Sequence, residues 1–356
     1  MKIGIIGLPQ TGKKTLFQVL TGSEIKETSG AAKPIPGTAD IIDPRFDELV
    51  TMYSPKKQTH ARIDLMLLPK IEQETIAKGE IFRDISDVDA ICHVVRSFTD
   101  DAVYHTAGSV DAIRDLEMVN AELLMHDQIF VEKRIERLET QIKKIKDDKQ
   151  LKELELMKKM QVELENEKPL RLMELAEDEE LLIRSYPFIT RKEMIVAFNV
   201  DESQLDSNEL LSEAKVHCEP QNIKAMLVSA QVESEIALLE SAEERNEFLE
   251  DLGIDEPALG KLTRLCLEAL GRISFFTVGP EEVHHWLVRS GSPAPVAAGA
   301  IHSDLQKGFI RAEVMKYEEL MEAGSEAELK KQGKMYVQGK DYIVVDGDIL
   351  NIRFAV

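Results

Sequence analysis

The chain has 356 residues, 43% of them hydrophobic and 31% charged, with a formal net charge of −21. That composition belongs to a globular protein with room for two or three domains, and it excludes a disordered or fibrous chain. No run approaches the roughly 18 consecutive apolar residues of a membrane-spanning helix, and the negative charge argues against broad, nonspecific affinity for nucleic acid, DNA included.

The chain opens as strand, tight loop and helix. Ile3, Ile5 and Ile6 form a short apolar run, Gly7 to Gly12 a loop, and Leu16, Phe17, Val19 and Leu20 a helical stripe. The opening run is too short for a signal peptide and is soon broken by Pro9. Further strands are expected at Ala61–Leu68, Ala90–Val95, Met194–Asn199 and Ala225–Ser229, with helical patterns between them. That alternation predicts an α/β fold with a mostly parallel sheet covered on both faces. Cys92, Cys218 and Cys266 lack metal-ligand spacing and read as buried thiols in a reducing, cytoplasmic setting.

Between Glu117 and Lys168 glycine and proline vanish and charges dominate. Leu123, Leu124, Ile129, Phe130, Ile135, Leu138, Ile142 and Ile145 recur at three- and four-residue steps, followed by Leu151, Leu154 and Leu156. Two long helices folded into an antiparallel hairpin, turning near Lys146–Lys149, are predicted. Such an arm has little core of its own, and a recognition or lever role and a plain spacer both remain open. Lys143, Lys144, Lys146, Lys149 and Lys152, with Lys158 and Lys159 beyond, read either as a solvated helix face balanced by Glu and Asp or as a contact for RNA or a ribosome. After Gly271, strands are expected at Ser274–Val278, Trp286–Arg289, Phe309–Val314 and Tyr342–Val345, with a turn at Val345-Asp346-Gly347-Asp348, giving a separate α+β domain.

The chemistry concentrates in Gly7-Leu8-Pro9-Gln10-Thr11-Gly12-Lys13-Lys14-Thr15, which nearly matches the phosphate-loop pattern G-x-x-x-x-G-K-[ST]. In such a loop, glycines let successive backbone N–H groups turn toward a phosphate and the following helix adds its positive end. Pro9, Gln10, Thr11, Gly12, Lys13, Lys14 and Thr15 are the expected phosphate-binding residues, with Lys13 reaching the β- and γ-phosphates. Lys14 stands where a hydroxyl normally ligates Mg²⁺. An ammonium there repels a metal, so Lys14 either points away or itself takes the cation's place. Thr15 keeps a hydroxyl one position later, in reach of an α-phosphate.

The motif set resembles the YchF family of Obg-related P-loop NTPases. Asn199-Val200-Asp201-Glu202 resembles that family's N-x-x-E motif, which stands where ordinary GTPases carry N-K-x-D. Ser229-Ala230-Gln231-Val232-Glu233-Ser234-Glu235-Ile236 is similar to its S-A-x-x-E-x-E-I segment. From Phe276-Thr277-Val278-Gly279-Pro280 through Lys307-Gly308-Phe309-Ile310-Arg311 to Gly339-Lys340-Asp341-Tyr342 the chain resembles the family's TGS domain. The resemblance implies a G domain (1–116 and 187–271) interrupted by a helical arm (117–186) and followed by a ubiquitin-like β-grasp TGS domain (272–356). It also implies purine nucleotide binding, ATP or GTP, and association with ribosomes or translation-associated RNA and protein. Losing the carboxylate that accepts two hydrogen bonds from guanine removes discrimination against adenine. Asn199, Val200, Ser229 and Ala230 are then expected around the base, with Glu202 either beside it or simply opening the next helix.

This sequence also departs from the family. Aligned on the D-x-x-G switch motif, Asp64-Leu65-Met66-Leu67 places Leu67 at the sensing glycine. Leu68 then takes the place of the hydrophobic residue that substitutes for a catalytic glutamine. Asp64 is left to hold Mg²⁺ through water or to pair with Lys14. Only Gly79 remains in Pro69–Arg83, and no convincing switch threonine occurs in Thr28–Thr38. Lys13 and Leu68 are the expected catalytic residues, with Mg²⁺ in doubt. Two readings follow: a nucleotide-dependent regulator with weak or impaired hydrolysis, and a pseudo-NTPase scaffold working through the TGS domain and the arm. His284 and His285 beside Trp286 suggest metal binding or base stacking, whereas the family resemblance implies that they lie on the first helix of the TGS domain in a structural role. His302, Asp304, Lys307 and Arg311 read as a hydrogen-bonded loop or as a ligand contact.

Overall fold

A computed structural model describes residues 2–25, 33–144 and 147–355. Thr28 in the switch segment, Ile145 in the arm and Lys146 at its turn lie outside the described residues. Twelve strands occur among those described. They are β1 (Lys2–Ile6), β2 (Ile35–Asp40), β3 (Lys57–Thr59), β4 (Arg62–Leu67), β5 (Ala90–Arg96), β6 (Met194–Asn199), β7 (Ile223–Val228), β8 (Arg272–Thr277), β9 (Glu282–Arg289), β10 (Phe309–Lys316), β11 (Tyr336–Gln338) and β12 (Asp348–Phe354). The chain divides into two compact units, residues up to Thr38 with Asp64–Leu262, and Ala39–Ile63 with the residues from Thr263 onward.

The first unit is built on a sheet of order β2-β4-β1-β5-β6-β7, in which β4, β1, β5, β6 and β7 pair in parallel. Every residue of β5 and β6 is buried, as expected of central strands covered on both faces. Parallel pairing brings the C-terminal ends of β1, β5, β6 and β7 to one edge, where open α/β sheets bind ligands.

The predicted hairpin is present as helices Ala112–Ile142 and Asp148–Glu165. Asp111 and Asp147 start them, each side chain accepting a backbone N–H of the first turn. Leu116, Val119 and Leu123 of the first helix pack on the sheet, so it begins as a sheet-covering helix and only later becomes an arm. The arm also has more core than expected. Val131, Ile135 and Leu138 meet Leu156, Met157 and Met160, closed over by Leu170, Ile183 and Phe188. Ile129 and Leu151 of the predicted stripe face outward instead.

The second unit carries a mixed sheet of order β11-β10-β12-β8-β9-β3. The hairpin β8–β9 is antiparallel, β12 runs parallel to β8, and helix Ala294–Ile301 buries Ala294, Ala297 and Ala298 against Phe275 and Val288, a β-grasp arrangement. Residues 39–63, expected within the G domain, belong here. β3 pairs in parallel with β9, Lys57 opposite Glu282 and Thr59 opposite His284, while Phe46 and Leu49 share a core with Phe276 and Ile349. Two further expectations are corrected. His284 and His285 lie on strand β9, not a helix, and therefore face opposite sides. His284 stacks on Trp286, whereas buried His285 hydrogen-bonds Ser274 Oγ at 2.7 Å. Tyr342–Val345 is not a strand; Ile343 makes an isolated bridge to Pro293, and the strand is β12, entered by the predicted turn at Gly347.

Candidate functional site

The loop Gly7–Gly12 leaves the end of β1 and enters helix Lys13–Thr21. Gln10 and Gly12 adopt left-handed backbone conformations, φ 60° and 83°. Such turns gather backbone N–H groups into an anion-binding concavity. Thr11 is buried and donates from Oγ1 to Leu8 O at 3.3 Å, while Gln10, Lys14 and Thr15 are exposed and Pro9 is half-buried.

Asn199, at the end of β6, holds this loop. Its Nδ2 donates to Thr11 O at 3.0 Å, and its Oδ1 accepts from Ala230 N at 2.9 Å. A Cβ on Gly12 would stand 2.2 Å from Asn199 Nδ2, so the glycine is required by this close approach as well as by its φ. The side chain expected at the base edge is therefore engaged as a brace between the phosphate loop and helix Ala230–Leu238. Ser229 is buried and caps that helix, accepting from Val232 N. Val200 is buried with its N–H on Val228 O, and Glu202 is exposed at the start of a short 3₁₀ turn.

Lys13 is 6% exposed, and its Nζ donates to Gly7 O at 3.1 Å and Pro69 O at 2.9 Å. Burial pushes its pKa down to about 7, helped by the charges of Lys70 and Lys14 and opposed by Glu72. Beneath it, His93 of β5 is buried, and burial together with the Lys13 charge pushes it down to about 3. The next loop is also fixed: buried Arg96 donates to Phe98 O, Val103 O and Asp100 O, and Ser97 N and Phe98 N both donate to Asn199 O.

The strand register corrects the switch-motif assignment. β1 and β4 pair Lys2 with Asp64 and Ile5 with Leu67. Asp64 thus lies level with the start of β1, about 16 Å along the strand from Gly7 at roughly 3.3 Å per residue. It is at the wrong end of the sheet to serve a metal at the loop. Leu68, expected beside the reaction centre, is 2% exposed and packed in the sheet core with Ile6 and Ile81. What faces the loop is Pro69-Lys70-Ile71, with Ile71 N donating to Gly7 O at 3.1 Å. The sequence motifs do not point to Lys70. The signal that finds it is the count outward from Gly7 along the parallel partner strand, rather than the spacing from an aspartate.

The P-loop fold implies Mg²⁺, and the two positions expected to serve it, Lys14 and Asp64, do not fit it. The hydroxyl position is Lys14, the carboxylate Asp64 is remote, and among the described residues no group of three His, Cys, Asp or Glu side chains converges to hold a metal.

Residues 272–355 match the family model YchF-GTPase_C, described as "Protein of unknown function (DUF933)". The chain is 37% identical over 364 residues to the ribosome-binding ATPase YchF of Bacillus subtilis (strain 168), covering 99% of each. It is 37% identical over 366 residues to Obg-like ATPase 1 of Pongo abelii, covering 99% of this chain and 92% of that protein. The solved structure of the Schizosaccharomyces pombe YchF GTPase is similar with a TM-score of 0.81 at 29% identity, covering 99% of this chain and 97% of that one.

Proposed function

The chain belongs to the YchF family of Obg-related ATPases, and from that premise we propose that it is a purine nucleotide-binding regulator that takes ATP, and GTP as a second ligand. The observation that carries this reading is the Asn199 brace. The loop stands preformed by hydrogen bonds to Thr11 O and Ala230 N, so binding a polyphosphate costs little further ordering. The base preference rests on the carboxylates after β6. Asp201 accepts from Thr99 N and Oγ1, and Glu202 is exposed, which supports a pocket without the fixed carboxylate that selects guanine.

Hydrolysis in this reading is slow. Phosphoryl transfer depends on charge stabilisation and a positioned water, and neither Leu68 in the core nor Asp64 at the far strand end supplies them. Association with the ribosome is proposed from the relatives, several of which are named ribosome-binding ATPases. The test is paired. Calorimetric titration with ATP and GTP is expected to show binding of both, and phosphate release from the ATP complex is expected to lag far behind nucleotide exchange. Failure to bind either nucleotide would overturn the reading and leave a scaffold in which only the arm and the C-terminal unit engage partners. Co-sedimentation with ribosomes tests the partner, and its absence with and without ATP would remove that part.

A further inference from the structure

We propose that the phosphate loop takes its polyphosphate without a divalent ion, with Lys14 and Lys70 supplying the positive charge that a metal would bring. This rests on the nucleotide-binding reading and names the ionic form of its ligand.

Three observations carry it. First, the two protein groups expected to position a metal at such a loop are not there: a lysine occupies the hydroxyl position, and Asp64 lies in register with Lys2 at the opposite end of β1. Second, the segment that does face the loop contributes a cation. Pro69 O accepts from Lys13 Nζ and Ile71 N donates to Gly7 O, so Lys70 is held between two residues hydrogen-bonded to the loop and its helix. Third, Lys14 and Lys70 are exposed, while both lie close enough to Lys13 for their charges to act on it. Two further cations and the positive end of a helix therefore stand near Lys13 at the loop, with Glu72 as the carboxylate whose charge reaches Lys13. A divalent cation entering that group would be repelled, whereas an uncomplexed triphosphate brings the charge needed to neutralise it.

The full-length protein is titrated with ATP in EDTA and again in excess MgCl₂. The expected result is binding in EDTA that is as tight as, or tighter than, binding with Mg²⁺. Lys70→Ala, a change on an exposed side chain, is expected to weaken binding in EDTA about tenfold, near 1.4 kcal/mol, whereas Lys152→Ala on the distant hairpin leaves it unchanged. Binding at least tenfold tighter with Mg²⁺ would overturn the inference while leaving the nucleotide reading intact. A Lys70→Ala variant that binds as the wild type would remove Lys70 from the site and overturn its assignment. Absence of ATP and GTP binding in both solutions would instead overturn the nucleotide reading itself.

Discussion

Asn199 and Thr11 stand 188 positions apart in the chain and are joined by a 3.0 Å hydrogen bond from Asn199 Nδ2 to Thr11 O. Because Asn199 Oδ1 also accepts from Ala230 N, one side chain ties together the phosphate loop, the end of β6 and the start of helix Ala230–Leu238. Replacing Asn199 by Ala leaves two buried backbone groups unpaired. At about 1 to 3 kcal/mol for each such group, urea unfolding of the first unit is expected to show a loss of about 2 to 6 kcal/mol, with nucleotide affinity falling in parallel. Unchanged stability would mean that water replaces both partners.

Gly12→Ala attacks the same contact from the other side. The new Cβ would sit 2.2 Å from Asn199 Nδ2, on a backbone at φ 83°. The expected cost is about 1 to 2 kcal/mol from the left-handed conformation alone, plus displacement of Asn199. In a double-mutant cycle with Asn199→Ala the two effects are therefore not additive, with a coupling above about 0.5 kcal/mol. Simple additivity would show that the close approach carries no energy.

Lys13 gives the site a pH signature. Its pKa in the folded chain is about 7 against an ordinary 10.5, chiefly through burial. A lowered folded value means that the unfolded chain binds more protons between those limits. The Lys13 contribution to stability is thus complete above about 10.5 and lost as pH falls through about 7. A bound polyphosphate favours the charged form, so binding above pH 7 draws in a proton. Calorimetry at pH 8 in buffers of different ionisation enthalpy is expected to show uptake approaching one proton, absent in Lys13→Met.

Much of the fold is legible in the sequence because it is written in local patterns. The uninterrupted apolar runs at β5 and β6, the glycine loop before an apolar-striped helix, and the glycine-free heptad-like stretch each specify an element without reference to the rest of the chain. What cannot be read there depends on pairing between distant segments. β3 is only Lys57-Gln58-Thr59, without alternation, and exists because β9 offers it an edge. Asp64 has the spacing of a switch carboxylate along its own strand, yet its place is set by the register with β1. Asn199 is marked as a site residue by its motif, but whether it faces a base or a backbone depends on where Thr11 and Ala230 come to rest.

The second unit carries its own titration. His285 is buried against Ser274, and burial pushes its pKa down to about 4 from 6.5, with the nearby Asp43 carboxylate pulling the other way. Its contribution to stability is present above 6.5 and lost as pH falls through about 4. Trp286, the single tryptophan of the chain, lies next to it on β9 and reports this unit alone. An acid fluorescence titration is expected to show a transition below pH 6.5 that Trp286 detects and that His285→Asn displaces. An unmoved transition would assign the acid lability elsewhere.

The most direct test of a metal-free polyphosphate site is native mass spectrometry of the full-length protein with ATP and magnesium acetate, which weighs the ligand as bound. A loop that carries Lys13 and Lys14 and faces Pro69-Lys70-Ile71 predicts an adduct with the mass of ATP alone, weakened about tenfold in Lys70→Ala. An adduct that always carries one magnesium ion would contradict the account.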